Sequence, residues 1–180
     1  RSRAKASIER FMGLIILLLS LFSSRQNREV ASLRKKAVNG DIQAQNELGL
    51  MYLEGMKVKQ DCNEGIKWLH KAAEAGLAEA QSNLGLVYAS GQFVSKDYKE
   101  SLRWYRLAVD NGYAGAQFDL GFMYMHGDGV AVDYDEAICL YRMAANQGHT
   151  LAQYNLGLLY DSGELVKQDY TEAKIGRAHV

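Results

Sequence analysis

The 180-residue chain contains no proline, although average usage of about 5% would place roughly nine in this length. Every reversal of direction therefore falls to glycine or to polar residues, and the 17 glycines recur largely at equivalent positions. Surplus charge is missing too. With 21 basic against 21 acidic residues, the chain lacks the basic excess that a nucleic-acid or anionic-membrane footprint requires. The two cysteines and four histidines make no C-x-x-C or H-x-x-x-H spacing, so a zinc site has no support. No nucleophile elbow or phosphate-binding loop occurs either, and the sequence points to no cofactor.

What the chain does have is one pattern written four times at a spacing of 36 residues. Ala44-Gln45, Leu48-Gly49, Tyr52, Gly55, Val58 and Asp61 return as Ala80-Gln81, Leu84-Gly85, Tyr88, Gly91, Val94 and Asp97. They return again as Ala116-Gln117, Leu120-Gly121, Tyr124, Gly127, Val130 and Asp133. The fourth copy is Ala152-Gln153, Leu156-Gly157, Tyr160, Gly163, Val166 and Asp169. Self-similarity at such a period marks a solenoid, in which each unit buries its apolar face only against its neighbours.

Each unit reads as two helices. Ala44, Leu48 and Tyr52 recur at i, i+4 and i+8, one face of a first helix. A mid-helix glycine such as Gly49 costs about 0.5–1 kcal/mol relative to alanine, and its fourfold use predicts a close-packed neighbour. Gly55 and its equivalents predict a left-handed helix end. A second helix then opens at Asp61, Asp97, Asp133 and Asp169, each three residues before Glu64, Glu100, Glu136 and Glu172. That spacing predicts a capping box in which Asp accepts a first-turn amide and Glu reaches back. Both carboxylates also suit the positive end of the helix dipole. Trp68-Leu69, Trp104-Tyr105 and Leu140-Tyr141 are read as packing residues, and Gly76, Gly112 and Gly148 close the helix.

These residues resemble the Sel-one-like repeat family, a relative of the tetratricopeptide repeats. The likeness runs through Ala-Gln, Leu-Gly, Tyr, the loop glycine and valine, the capping Asp, an aromatic pair, Ala-Ala and a closing Gly, over about Asp41 to Ala173. It implies an all-α fold, an α/α superhelical solenoid of 36-residue helix-turn-helix repeats, acting as a protein-binding scaffold or adaptor with no shared reaction. The second loop glycine of the family survives only as Gly129; Lys57, Phe93 and Leu165 replace it, so those loops are expected to turn differently.

The units are expected at 41–76, 77–112, 113–148 and, in part, 149–173, preceded by a capping half-repeat over 25–40. There Lys36-Ala37 take the places of Ala72-Ala73, and Gly40 that of Gly76. Residues 1–24 hold a 12-residue apolar stretch, Phe11 to Phe22, behind Arg1, Arg3, Lys5 and Arg10. As a helix it would span about 18 Å, short of the roughly 30 Å hydrocarbon core. Its flanks favour a secretory signal peptide and export to a periplasm, an ER lumen or the medium. A membrane anchor, with membrane contact only if the segment is retained, and a cap on the solenoid are the alternatives. The first residue is Arg1 rather than methionine, as in a fragment. At the other end, Ile175-Gly-Arg-Ala-His-Val180 matches the translation of a common sequencing adapter, ATC GGA AGA GCA CAC GTC. We expect 174–180 to be non-native, with further repeats in the natural chain.

Cys62 and Cys139 sit more than two units apart, roughly 20 Å at 8–10 Å per packed helix, so they should not form a disulfide, which needs Cα atoms within about 7 Å. The Asp/Glu pairs are explained by capping on separate units rather than by a carboxylate dyad. With no converging polar cluster, an enzyme is disfavoured; a cell-wall-directed hydrolase and a structural spacer are the other function classes. If the first helices line a concave surface, positions 46, 50, 53 and 54 and their equivalents face outward. They turn apolar and aromatic in later units: Phe118, Phe122, Met125, Tyr154 and Leu158. Those residues are nominated to bind a protein or peptide partner. The competing reading is that a C-terminal helix, the N-terminal segment or packing within the solenoid covers them.

Overall fold

The computed structural model describes residues 24–162 together with Leu19 and Leu21, and the described residues contain helices and no strand. Helix α1 covers 24–38. It is followed by α2 (Ile42–Glu54), α3 (Cys62–Glu74), α4 (Ala78–Ser90), α5 (Tyr98–Asp110), α6 (Ala114–His126), α7 (Tyr134–Asn146) and α8 (Thr150–Ser162). Most of the expected signal peptide, the loop expected at Leu165, the fourth Asp169/Glu172 cap and the adapter-like tail lie outside the described residues. Among the described helices none is long and apolar enough to cross a membrane.

The sequence sets each boundary by hydrogen bonding. Asp61, Asp97 and Asp133 each accept, through Oδ1, the backbone N–H of Glu64, Glu100 and Glu136 at 3.0 Å. The reciprocal half of the expected capping box gives way to another bond. The aspartate N–H groups donate instead to the carbonyls of Tyr52, Tyr88 and Tyr124 at 2.9–3.0 Å. One bond therefore closes the loop and satisfies an orphan carbonyl at the end of the first helix. The released glutamates turn to cations one turn on: Glu64 pairs with Lys67 at 3.7 Å and Glu100 with Arg103 at 2.7 Å.

Second helices end in a Schellman motif. The N–H of Leu77 reaches Ala72 O and that of Gly76 reaches Ala73 O, with Gly76 at φ +93°. The same pair of bonds closes α1, α5 and α7. The loops inside the units are less uniform. Gly129 has φ +73°, and Lys57, which stands in the same place, also adopts a left-handed φ of +60°. The first loop therefore turns with the hand of the third, contrary to the expectation for Lys57. Phe93 does not take that conformation among the described residues; its ring packs on the core formed by Leu84, Val87 and Trp104, and this burial steers the second loop.

Each first helix packs tightly on its own second helix, α2 on α3, α4 on α5 and α6 on α7; α3, α5 and α7 then pack on the first helix that follows. The mid-helix glycines make that closeness feasible. A Cβ on Gly85 would lie 2.6 Å from the Tyr105 ring, and one on Gly49 would lie 2.8 Å from Leu69. Leu48, Leu69, Leu84, Tyr105 and Tyr141 are almost wholly enclosed in the resulting core.

Candidate partner-binding face

First helices also meet one another directly. Helix α4 packs against α6, Asn83 on α4 donates to Asn46 on α2 at 3.0 Å, and Phe118 on α6 stacks on His149 at the start of α8, 4.8 Å between centroids. Second helices meet only first helices to a comparable extent. A stack that touches along one row and fans apart along the other is curved. The first helices line its inner, concave side.

The outward row of those helices is rotated relative to the expected one. Asn46, Ser82 and Leu53 are buried, turned into the neighbouring unit. The residues that reach solvent instead include Gln43, Glu47, Glu54, Leu86, Ser90, Phe122, His126, Leu151 and Leu158, whereas Asn83, Asp119 and Asn155, at the position of Glu47, are half-buried. Position 50 is apolar in all four units: Leu50 is half-buried, and Leu86, Phe122 and Leu158 are 55%, 43% and 46% exposed. Of the five nominated residues, Phe122 and Leu158 belong to this ladder. Tyr154 is exposed on α8, at the position whose equivalents Asn46 and Ser82 are buried. Phe118 and Met125 are half-buried against Ile138, Tyr141, Leu156 and Tyr160, with Phe118 stacked on Tyr141 at 5.5 Å. These two hold units together. Leu86, which the nominated strip left out, is the most exposed member of the ladder.

Between α2 and α4 the concave side opens into a cleft of about 350 Å³, floored by Leu53 and Val87 and rimmed by Leu50, Leu86 and Phe93. Its only charged wall residue is Glu54. Among the described residues no three His, Cys, Asp or Glu side chains converge as a metal site. Cys62 is half-buried and Cys139 exposed, both free thiols.

The signature of the Sel1 repeat matches residues 42–77, 78–113, 114–149 and 150–175. The chain belongs to the Sel1 repeat family. Among solved structures it is similar to a protective antigen of uropathogenic Escherichia coli with an SLR fold, at 37% identity and a TM-score of 0.78. That match covers 83% of this chain but only 32% of the E. coli protein. It is also similar to a Sel1 repeat protein of Oxalobacter formigenes, at 35% identity and a TM-score of 0.70, over 83% of this chain and 69% of that one. A Sel1 repeat protein of Klebsiella pneumoniae, at 24% identity and a TM-score of 0.62 over 83% and 72%, shares the fold. A search of curated proteins gives no match. Sel1 repeat proteins are generally protein-interaction scaffolds rather than enzymes.

Three polar ladders that sequence reasoning passed over tie the Sel1 units together. Gln45, Gln81 and Gln153 donate to the carbonyls of Ala37, Ala73 and Ala145 at 3.0–3.1 Å. Gln81 and Gln117 also accept from Asn111 and Gln147 at 2.9 and 2.8 Å. Gln45, Gln81 and Gln153 thus satisfy carbonyls at the end of the preceding second helix. In the next ladder, Arg34 donates to the Tyr52 hydroxyl, Arg106 to Tyr124 at 3.4 Å and Arg142 to Tyr160 at 2.8 Å. His70 Nε2 lies 3.2 Å from the Tyr88 hydroxyl in the matching place. A run of Arg, His, Arg and Arg at 36-residue spacing was the signal for it.

The last ladder joins position 105 to 119 and 141 to 155. Burial raises the pKa of the Tyr105 and Tyr141 hydroxyls; Asp119 adds to the first as charge and hydrogen-bond partner, and a hydrogen bond with Asn155 partly offsets the second. The Asp119 carboxyl is pushed up to about 6 by burial, with the Tyr105 hydrogen bond opposing the rise. At the start of α8, His149 caps the helix by accepting the Ala152 N–H at Nδ1, 3.3 Å away, and burial lowers its pKa.

Proposed function

We propose that this Sel1 array is a protein-interaction scaffold that takes an extended or helical segment of a partner protein along its concave face. The observation that supports it is the apolar ladder Leu50, Leu86, Phe122 and Leu158, one rung per unit and exposed at three of its four rungs. Large side chains left in solvent in a contiguous row mark interaction surfaces, and a ladder crossing successive helices suits one continuous ligand segment. A structural spacer would leave this row polar. A hydrolase would bring acid, base and nucleophile groups together, and the row offers apolar contact instead.

Photocrosslinking tests the reading. A photoreactive residue at position 122 or 158 should capture a partner protein, whereas one at the exposed Met143 on α7 should not. Phe122→Ser combined with Leu158→Ser should abolish capture with the helical circular-dichroism signal unchanged. Equal crosslinking from 122 and 143 would refute the concave assignment.

A further inference from the structure

The chain is neutral as a whole, yet its charges are sorted by helix. The four first helices, α2, α4, α6 and α8, carry Glu47, Glu54, Glu79, Asp119 and Asp161 and not a single Lys or Arg. An even spread of the 21 basic residues would have put about six there. All 21 lie instead on the second helices, in the loops and towards the termini.

Pairing follows the same division. Among the described residues the ion pairs join Glu29 to Arg25 and Lys57, Glu64 to Lys67, Glu74 to His70 and Glu100 to Arg103. Every one of them belongs to a second-helix position or a loop. Glu47, Glu54 and Glu79 take part in none. Glu47 and Glu54 are exposed and Glu79 half-exposed on the outward row of the concave side, next to the apolar ladder, and Glu54 is the one charge in the wall of the cleft. The face is therefore apolar along its centre and acidic over its first two units, while on α6 the exposed His126 lies against Phe122 at 4.1 Å between ring centroids.

Resting on the concave-face reading above, we infer that the segment this face receives is cationic and amphipathic, an apolar anchor flanked by lysines or arginines. Apolar side chains would cover Leu86, Phe122 and Leu158, and the basic ones would meet glutamates that form no ion pair among the described residues. Complementary charge of this kind selects partners and speeds encounter. It also turns the face away from anionic lipid, which calls for the opposite sign. With neighbouring helices 8–10 Å apart, Leu86 to Leu158 spans roughly 20 Å, the length of a helix of about 13 residues.

The test uses the full chain and three labelled peptides of roughly 14 residues: an amphipathic helix of Leu and Lys, its Leu/Glu twin, and a Ser/Lys peptide of equal charge. Fluorescence anisotropy at about 50 mM salt should show the Leu/Lys peptide binding at least about tenfold more tightly than either other peptide, an advantage that shrinks as salt rises. Phe122→Ser with Leu158→Ser should remove most of that binding, and Met143→Ser should not. Glu47→Gln, Glu54→Gln and Glu79→Gln together should bring Leu/Lys to within about threefold of Leu/Glu. Equal or tighter binding of Leu/Glu overturns the charge inference and leaves the groove standing. Ser/Lys binding as tightly as Leu/Lys overturns the apolar half. Binding by no peptide, or binding indifferent to the Phe122 and Leu158 changes, removes the groove itself. A self-associated chain that dissociates on the triple glutamate change would assign the face to another copy's basic α1 and overturn a separate partner.

Discussion

Asp119→Asn should stabilise the protein at neutral pH, by an amount that depends on pH. The carboxyl titrates at about 6 in the fold against 3.8 when unfolded, because burial penalises its charged form. A group whose pKa is raised by folding binds its proton more tightly in the folded state, so its penalty is absent below pH 4 and complete above 6. A gap of about two pH units corresponds to roughly 3 kcal/mol at 1.36 kcal/mol per unit. Asp119 keeps partial contact with solvent, which brings the expected gain to about 1–3 kcal/mol. Asparagine can keep the bond from Tyr105 through its carbonyl oxygen, and Asn155 already stands at this position beside Tyr141 one unit later. Urea unfolding followed by Trp68 and Trp104 fluorescence, from pH 4 to 8, gives the difference between variant and parent. It should be small near pH 4, climb to half its full size near pH 5 and level off above about 6. A flat difference, or a variant less stable at pH 7.5, would refute the burial argument.

Gly85→Ala places a methyl 2.6 Å from the Tyr105 ring, and overpacking of this kind should cost about 1–3 kcal/mol in urea unfolding despite the better helix propensity of alanine. Leu84→Ala empties a fully enclosed site and should cost about 2–5 kcal/mol in the same assay. His149 shifts stability in the other direction. Its pKa is lowered by burial, so the fold disfavours the charged ring, and stability is held above pH 6.5 and lost as pH falls below it. His149→Asn keeps an acceptor at the start of α8 and should flatten that acid loss, seen as a smaller drop in melting temperature between pH 7 and 5.

Much of this fold is written in the period of the sequence, because capping, glycine clearance and helix-face spacing are local and each unit repeats them. Gly85 announced a close-packed neighbouring helix, which the structure supplies through Tyr105, and Asp97 announced the start of α5. What the sequence left hidden depended on rotation and on partners from a neighbouring unit. The Glu half of the capping box failed because a carbonyl on another helix, that of Tyr88, competes for the Asp97 amide. Lys57 turns like Gly129 although residue identity argued otherwise. The outward row was misplaced because a helix face spans several positions. Only contacts between units, such as Asn83 with Asn46, show that position 46 is covered and position 50 open.

That same geometry explains why neutral composition was a poor guide to partner chemistry. A superhelix gives its two helix classes different jobs. Second helices splay apart on the outer side, where long charged side chains can pair at i, i+3 or i, i+4, as Arg103 does with Glu100. First helices are packed on both neighbours, so their buried positions are apolar, small or, like Gln45, Gln81 and Gln117, held by hydrogen bonds, and the exposed positions are freer to vary. In this chain those positions hold Glu47, Glu54, Glu79 and large apolar residues beside neutral polar ones and His126, with no Lys or Arg, and the cations lie on the second helices, in loops and towards the termini. Net charge sums over both sides and returns zero, while a ligand in the concavity meets only one of them. Exchanging Glu47, Glu54 and Glu79 for glutamine should therefore alter which peptides bind far more than how stable the array is, since among the described residues none of the three carries an ion pair whose loss the fold would register. A large fall in stability in that variant would show that the acids serve the fold and not a partner.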